Sequence, residues 1–203
     1  MTGSGLTIKI GGSLCDPERL PRIAAAIREL AERCCVTIVP GGGPFACVVR
    51  DWDQRLHLSA SAAHWMAIAA MDQYGLLLES QGMGVAVHDP AALSSGSAGA
   101  RIFLPYRFLR ETDPLPHSWS VTSDSIAAYL AALWKTDRLV LVKPADAPVS
   151  PCPIRTAVEN GMVDGQFERY LDRGAQCWIV NGNAPHFLLD LQNLGTRVIP
   201  AGA

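Results

Sequence analysis

The chain has 203 residues, with 17 lysines and arginines against 19 aspartates and glutamates and a formal net charge of −2. That length suits one domain with two lobes at most, and a 49% hydrophobic content is enough for a sizeable buried core. The near balance of charge, with a pI of about 6.2, excludes an extended nucleic-acid surface, which needs a basic excess.

No stretch reaches the roughly 18 uninterrupted apolar residues of a membrane-spanning helix. The opening "MTGSGLTIKI" lacks the charged and apolar regions of a signal peptide, so a cytoplasmic location is expected. Six cysteines form no C-x-x-C pair and are expected as small buried hydrophobes. Five histidines show no H-E-x-x-H spacing, and no metal-ligating set is expected.

In chain order, "LTIKI" (Leu6 to Ile10) reads as a strand. "DPERLPRIAAAIRELAERC" reads as a helix, with Asp16 as N-cap and Pro17 at the first helical position. Leu20, Ile23, Ala24, Ile27 and Leu30 form its apolar face. "VTIVP" (Val36 to Pro40) is a second, wholly apolar strand, and strand–helix–strand at this spacing is a βαβ unit with a parallel pair. Helical sequence follows from Phe45 to Arg55 and again from Ser59 to Glu79. "MGVAV" and "ARIFLP" read as short strands, "SDSIAAYLAALWK" as a helix with Ile126, Leu130 and Leu133 on one face, and "DRLVLVK" as a buried strand. Arg155 to Arg173 reads as loop then helix, "CWIVN" as a strand, "APHFLLDLQNLG" as a helix closed by Gly195, and "TRVIP" as a last strand. The sum is an α/β sandwich of three layers, helices on both faces of a mostly parallel sheet. Such sheets bind ligands at the carboxyl ends of their strands.

Three stretches at strand ends carry candidate chemistry. In "KIGGS", Gly11 and Gly12 expose backbone N–H groups before a helix, Ser13 adds a hydroxyl and Lys9 a full charge. A tight strand-to-helix turn with an incidental lysine would give the same letters. In "PGGGPF", Gly41, Gly42 and Gly43 follow an apolar strand, and each glycine costs roughly up to 1 kcal/mol relative to alanine. A backbone lying flat against a ligand justifies three; a flexible connector is the plainer reading. In "HSWSVTSDSIAAYLA", Thr122, Ser123 and Asp124 cluster at a helix start, where capping alone could explain them. The chain lacks the G-x-x-x-x-G-K-[ST] loop, the G-x-G-x-x-G fingerprint and the G-x-S-x-G elbow. Two glycine-rich anion sites with one lysine between them suit phosphoryl transfer, one site for the donor and one for the acceptor.

These three stretches, in this order, resemble the amino acid kinase superfamily. "KIGGSL" is similar to its opening K-x-G-G-S, "PGGGPFA" to its acceptor-side glycine loop, and "TSDSIAAYLA" to its N-x-D-x-x-A helix start. Within it, "PGGGPFACVVRDWDQRLHLSASAAHWMAIAAMDQYG", "HSWSVTSDSIAAYL" and "WIVNGNAPHFLLDL" are similar to the small kinases of methanofuran synthesis, over about 200 residues. Those enzymes use ATP and magnesium to add a second phosphate to a furan alcohol phosphate.

The resemblance implies an amino acid kinase domain over 1–203, with an acceptor half at 1–118 and a shortened nucleotide half at 119–203. It implies ATP with Mg2+, a small phosphate-bearing acceptor, and homo-oligomers. Lys9 would contact the transferring phosphoryl group, Gly11, Gly12 and Ser13 the donor phosphates, and Gly41, Gly42 and Gly43 the acceptor. Asp124, with Thr122 and Ser123, would organise the reacting centre, its carboxylate orienting lysines. His64, Met71 and Asp72 would line the acceptor pocket; for His64 a hydrogen-bonded, half-buried histidine is the equal alternative.

The chain departs from the superfamily's T-D-x-D-G on the nucleotide side. Here "RLVLV" runs into "KPADAP", where Asp146 keeps the second aspartate, Pro144 replaces the first and Ala147 the glycine. For the superfamily's second lysine, Lys143, Arg155, Arg169 and Arg173 qualify by charge alone. Other acceptors (isopentenyl phosphate, a nucleoside monophosphate, a carboxylate) and a non-catalytic binding or regulatory protein are the alternatives. Trp65, Trp119 and Trp134 would offer flat apolar surface to a furan ring or to a core. The long apolar run "AAHWMAIAAMDQYGLLL" is expected to cross a subunit interface.

Overall fold

The computed structural model describes residues 5–94, 98–184, 188, 190 and 195–200. Its elements are β1 (Leu6–Ile10), α1 (Arg19–Ala31), β2 (Cys35–Pro40), α2 (Gly43–Leu56), α3 (Ala60–Ser80), β3 (Val85–Val87), β4 (Gly99–Phe103), α4 (Tyr106–Thr112), α5 (Ser123–Leu133), β5 (Arg138–Lys143), β6 (Cys152–Pro153), α6 (Ile154–Glu159), α7 (Phe167–Tyr170), β7 (Gln176–Asn181) and β8 (Thr196–Ile199). The eight strands make one sheet in the order β3-β4-β2-β1-β5-β7-β8-β6. Every pairing is parallel except β7 with β8.

Strand alternation sorts the interior into two layers. Leu6, Ile8 and Ile10 of β1 and Val140 and Val142 of β5 point into one core with Ile23 and Ile27 of α1. Leu139 and Leu141 point to the opposite face, into a core with Ile126, Ala127 and Leu130 of α5. A strand buried on both faces reads as a mostly apolar run, which is why β1, β2 and β5 were legible even with Thr7 and Lys9 inside β1. Thr7 and Lys9 share the α5 face by the same two-residue period. Thr7 meets Thr136 there at 2.9 Å between hydroxyls.

Asp16 does act at the start of α1. Its Oδ1 accepts from Glu18 N (2.9 Å) and Arg19 N (3.2 Å), although regular helix begins only at Arg19. Ser59 caps α3 by accepting from Ala62 N at 3.2 Å. In α5 the expected face is corrected: Leu133 is exposed, and Ala127, Ala128 and Ala131 are buried instead. The small alanines let the helix lie close over β1 and β5.

Other expectations are also revised. Residues 154–159 are already helical, so the segment read as loop-then-helix holds α6 first and α7 after a turn. The expected helix from Ala184 to Gly195 lies largely outside the described residues. Two short elements, α4 and β6, had no sequence signal. Of the cysteines, Cys152 and Cys177 are buried, Cys15, Cys34 and Cys35 are partly buried, and Cys47 is exposed. Among the described residues no helix is long and apolar enough to cross a membrane.

The apolar excess of α3 is absorbed mainly inside the chain. Trp65, Ile68, Met71, Tyr74 and Leu78 are buried, while Met66 and Leu76 are exposed. Its partners are α2, β2 and α4.

Candidate active site

Two lysines on neighbouring strands point to one carboxylate. Lys9 pairs in register with Leu141, so Lys143 stands two residues further along β5 and, by alternation, on the same face as Lys9. That face carries the N-terminus of α5, where Asp124 lies in the first turn. Lys143 Nζ donates to Asp124 Oδ2 at 2.6 Å. Lys9 Nζ lies 2.7 Å from Asp124 Oδ1 as an ion pair, outside good hydrogen-bond alignment. All three are buried: Lys9 is 4%, Lys143 8% and Asp124 6% exposed.

The electrostatics follow from burial and pairing. Burial acts to raise the Asp124 pKa, and Lys9 and Lys143 outweigh it, so the carboxyl titrates below its ordinary range. Burial, followed by the like charge of Lys9, pushes Lys143 down to about 8. The cluster holds two positive charges on one negative charge, an excess suited to an anionic ligand.

Asp164, on the turn between α6 and α7, fixes this geometry from the side. Its Oδ2 accepts from Thr122 N (3.0 Å), Thr122 Oγ1 (2.7 Å) and Ser125 N (3.1 Å). Its Oδ1 accepts from Ser125 Oγ and from Gln166 N. A carboxylate at a helix N-terminus satisfies orphan N–H groups and complements the helix dipole. The 122–125 turn, and Asp124 with it, is thereby held rigid. Sequence reading missed Asp164, because a residue 40 positions away carries no local capping signal. Thr122 was read correctly as part of the helix start: it caps α5 by accepting from Asp124 N at 3.3 Å.

The glycine loops meet at the strand ends. Gly11 N donates to Val142 O (3.1 Å) and Gly41 N to Ile10 O (2.9 Å), which continues the sheet one residue past β1 and β2. Tyr74 Oη donates to Gly11 O at 3.4 Å. A Cβ on Gly41 would lie 2.7 Å from Gly12 N, and Gly43 has φ +57° with the Tyr74 ring against it. After Gly11 comes a single 3-10 turn, Gly12–Leu14, and after Gly42 comes α2. The first N–H groups of each have no partner within their own helix. Both sets are therefore backbone donors beside the Lys9–Asp124–Lys143 cluster.

A cavity of about 140 Å³ opens between α2, α3 and α5. Gly42, His64, Met71, Thr122 and Ser123 line it. Arg50 and Trp119 line it too; Trp119 is one of the three tryptophans weighed as a flat surface for a ring, and Arg50 was not expected there. The Arg50 guanidinium lies 4.6 Å over the Trp119 ring, and Trp119 Nε1 donates to Asp53 Oδ2 at 2.6 Å. The i, i+3 spacing of Arg50 and Asp53 on α2 was the available signal. Asp72 does not line this cavity. Its Oδ1 accepts from Tyr106 N (3.1 Å) at the start of α4, and burial raises its pKa to about 6. His64 packs on His117 and Trp65, and burial, then the like charge of His117, lowers its pKa to about 4. Trp134 packs against Phe103 in the core.

On the nucleotide side, Asp146 is exposed and accepts from Asn181 Nδ2 at 3.1 Å, beyond the paired ends of β5 and β7. Asn183 Nδ2 donates to Pro144 O at 2.6 Å and Gly182 N to Lys143 O at 2.6 Å. The "KPADAP" loop is thus tied to β7. Beside the Ser13 turn, Asp16, Arg19, Arg22, Gly182 and Asn183 border a second cavity of about 260 Å³. Of the basic residues weighed as the second lysine, Arg155 is paired with Glu159 on α6, Arg169 lies over Tyr170, and Arg173 is exposed. Lys143 alone among them joins Lys9.

No family model matches the chain. A curated relative, [5-(aminomethyl)furan-3-yl]methyl phosphate kinase of Methanocaldococcus jannaschii, is 29% identical over 95% of this chain and 96% of that one. The solved UMP kinase of Ureaplasma parvum superposes with a TM-score of 0.68 at 17% identity, covering 97% of this chain and 99% of that chain. The uridylate kinase of Archaeoglobus fulgidus gives 0.70 at 17% identity, over 98% and 100%. The UMP kinase of Bacillus anthracis gives 0.66 at 16% identity, over 98% and 95%. The chain has the amino acid kinase fold and is similar in sequence, over nearly its whole length, to a phosphate kinase.

Proposed function

We propose that this chain is an ATP-dependent kinase that transfers the γ-phosphoryl group to a small phosphate-bearing acceptor. The acceptor we assign is [5-(aminomethyl)furan-3-yl]methyl phosphate, converted to its diphosphate in methanofuran synthesis. The observation that carries the reading is the buried Lys9–Asp124–Lys143 cluster beside two abutting glycine loops. The sequence relative supports the acceptor.

The residues present fit a triphosphate. Gly11, Gly12 and Ser13 would hold the donor phosphates by backbone N–H groups, and Lys9 and Lys143 would neutralise the transferring group. ATP supplies the phosphoryl group, and Mg2+ supplies charge to its phosphates. The carboxylate at the centre, Asp124, already has a lysine on each oxygen, so it is no free ligand for the ion. Mg2+ would be held by the nucleotide phosphates and water. Asp146 and the border of the 260 Å³ cavity are the candidates for the rest of the nucleotide.

The chemistry is in-line displacement. An oxygen of the acceptor phosphate forms a bond to the γ-phosphorus, and the bond to the β–γ bridging oxygen breaks, leaving ADP. A phosphate oxygen is already a nucleophile, so no strong base is needed. Asp124, held below its ordinary range and paired on both oxygens, orients the lysines. The acceptor would enter the 140 Å³ cavity, with Gly42, Thr122 and Ser123 of its lining at the phosphate, Gly41 and Gly43 flanking Gly42 in the chain, and Arg50, His64, Met71 and Trp119 about the ring. That volume lies below the roughly 300 Å³ at which drug-sized sites begin, which favours a small flat acceptor over a nucleoside monophosphate.

The proposed acceptor half, 1–118, and nucleotide half, 119–203, would each lend residues to the other's ligand: Gly11, Gly12 and Ser13 to the donor phosphates, and Trp119, Thr122 and Ser123 to the acceptor. Val48, Trp52 and Leu56 form an exposed apolar stripe on α2, which supports a homo-oligomer, to be read from the mass in solution.

The test is calorimetric titration of MgATP into wild type and Lys9→Ala, followed by ADP release with the furan alcohol phosphate, isopentenyl phosphate and UMP in parallel. Micromolar binding weakened by Lys9→Ala, and turnover on the furan phosphate above the others, is the expected result. Nucleotide binding without turnover on any acceptor would favour the regulatory alternative, and no binding would end the kinase reading.

A further inference from the structure

His64, Asp113 and His117 meet at one spot although the sequence separates them. His64 comes from α3, Asp113 is the left-handed residue that ends α4 (φ +43°), and His117 is four residues on. One ligand atom from each lies within 4.8 Å of the other two. His117 Nε2 is already 2.9 Å from Asp113 Oδ1. The His64 and His117 rings are stacked, with centroids 4.3 Å apart.

A second observation singles the spot out. His64 is 8% exposed, yet no hydrogen bond from its imidazole to any described residue is formed. Its unbonded nitrogens are not sealed from solvent, since the buried side-chain atoms without a partner among the described residues are Asp124 Oδ1, Trp134 Nε1 and Trp178 Nε1. The neighbours of His64 are the faces and edges of Trp65 and His117, and the cavity it lines. A ring nitrogen without a hydrogen-bond partner is available to a ligand that enters from the cavity.

We propose that His64, Asp113 and His117 form a binding site for a divalent transition-metal ion of the zinc type at the mouth of the 140 Å³ cavity. Two imidazoles and one carboxylate are the donor set of three-ligand zinc sites that leave a position open. Magnesium is disfavoured, since it takes oxygen ligands and water. Ligand distances of about 2.0–2.2 Å place donor atoms roughly 3.3 Å apart in a tetrahedral site, so the present spread of up to 4.8 Å must close by up to about 1.5 Å. His117 must also turn off the His64 face to aim its lone pair. It sits on the connection between α4 and α5 and is 24% exposed at the side chain, which leaves room for that rotation. The open position faces the cavity through His64, where water or an anionic group of a bound ligand completes the set. The site lies apart from the lysine cluster and shares His64 with the proposed acceptor cavity, so the metal titration is made without nucleotide or acceptor.

The test uses the tag-free full chain, stripped with chelator and titrated with cobalt(II) as spectroscopic probe, then with zinc(II) by equilibrium dialysis. One equivalent should bind, with the visible d–d absorption of four- or five-coordinate cobalt, and zinc should displace it. His117→Gln and Asp113→Asn, at positions tolerant of change, should each weaken binding by at least the roughly 10–100-fold that loss of an outer-shell partner costs. His64→Gln should do the same with its melting temperature recorded. His57→Gln and His88→Gln should leave binding unchanged. Absence of the cobalt spectrum, affinity weaker than about 1 mM, or binding that survives both His117→Gln and Asp113→Asn would overturn the site. Neither nucleotide nor acceptor is present, so these outcomes leave the kinase test untouched.

Discussion

Gly12 and Gly43 press their backbones together: a Cβ on Gly12 would collide with Gly43 N and stand 2.7 Å from Gly43 Cα. The two glycine loops are therefore one surface, built at the ends of adjacent strands β1 and β2. Gly12→Ala should push the donor and acceptor loops apart. A displacement near 1 Å costs about 100-fold in rate, and kcat/KM for phosphoryl transfer should fall by that order. A Gly12→Ala enzyme with wild-type kcat/KM would refute a shared surface.

The two lysines should separate by measurement from their anchor. Lys9→Ala and Lys143→Ala should each lower kcat by about 100–1,000-fold, the loss typical for removing one donor to a developing charge. A neutral methyl also removes a buried charge, so neither variant should be strongly destabilised. Asp124→Asn is the opposite case. It strands two buried ammonium groups, and chemical denaturation should show a loss of about 3–5 kcal/mol.

Lys143, with its pKa held at about 8, sets an alkaline limb. kcat/KM reports the free enzyme, so its pH profile should fall above about pH 8 as Lys143 loses its proton. Lys143→Arg should remove that limb, whatever its absolute rate. The folded pKa of Lys143 lies below the unfolded value near 10.4, so between the two the unfolded chain binds more protons. Keeping Lys143 charged is a penalty below pH 8, and that penalty is relieved as pH rises from about 8 toward 10. A rate profile flat to pH 10 would contradict this.

Asp72 titrates in the other direction. Its folded pKa, about 6, exceeds the unfolded value of 3.8, so the folded chain binds more protons between them. Stability from this group falls as pH rises from about 4 to 6. Asp72→Asn retains an acceptor for Tyr106 N and loses the buried charge. At pH 7.5 it should be more stable than wild type by roughly 1 kcal/mol after allowance for solvent screening, with the advantage gone below pH 4. Thermal melts at both pH values check it.

Asp164→Asn tests the clamp on α5. Five donors converge on this carboxylate, so denaturation should show a loss of about 1–3 kcal/mol. Because the clamp positions Asp124, kcat should drop while KM for ATP changes little. An unchanged kcat with lowered stability would make Asp164 purely structural.

The sequence by itself determined the strands and the loops at their ends. β1, β2 and β5 are mostly apolar runs because both faces are covered, with Thr7 and Lys9 breaking β1, and that pattern is local. The same is true of "KIGGS", "PGGGPF" and "TSDSIAAYLA", where turn chemistry and position after a strand were visible in the letters. The tertiary structure decided what those letters could not carry. Lys143 was one of four basic candidates until the β1–β5 register set it on the Lys9 face. Asp164 reaches α5 from another turn, and Arg50 and Trp119 come together over a gap of 69 positions. Asp72, expected at the acceptor, caps α4, a helix with no sequence signal of its own. Local periodicity reports which face of an element is buried. Which side chains of different elements share a charge or a cavity depends on register and crossing, and those are fixed only when the whole sheet closes over its helices.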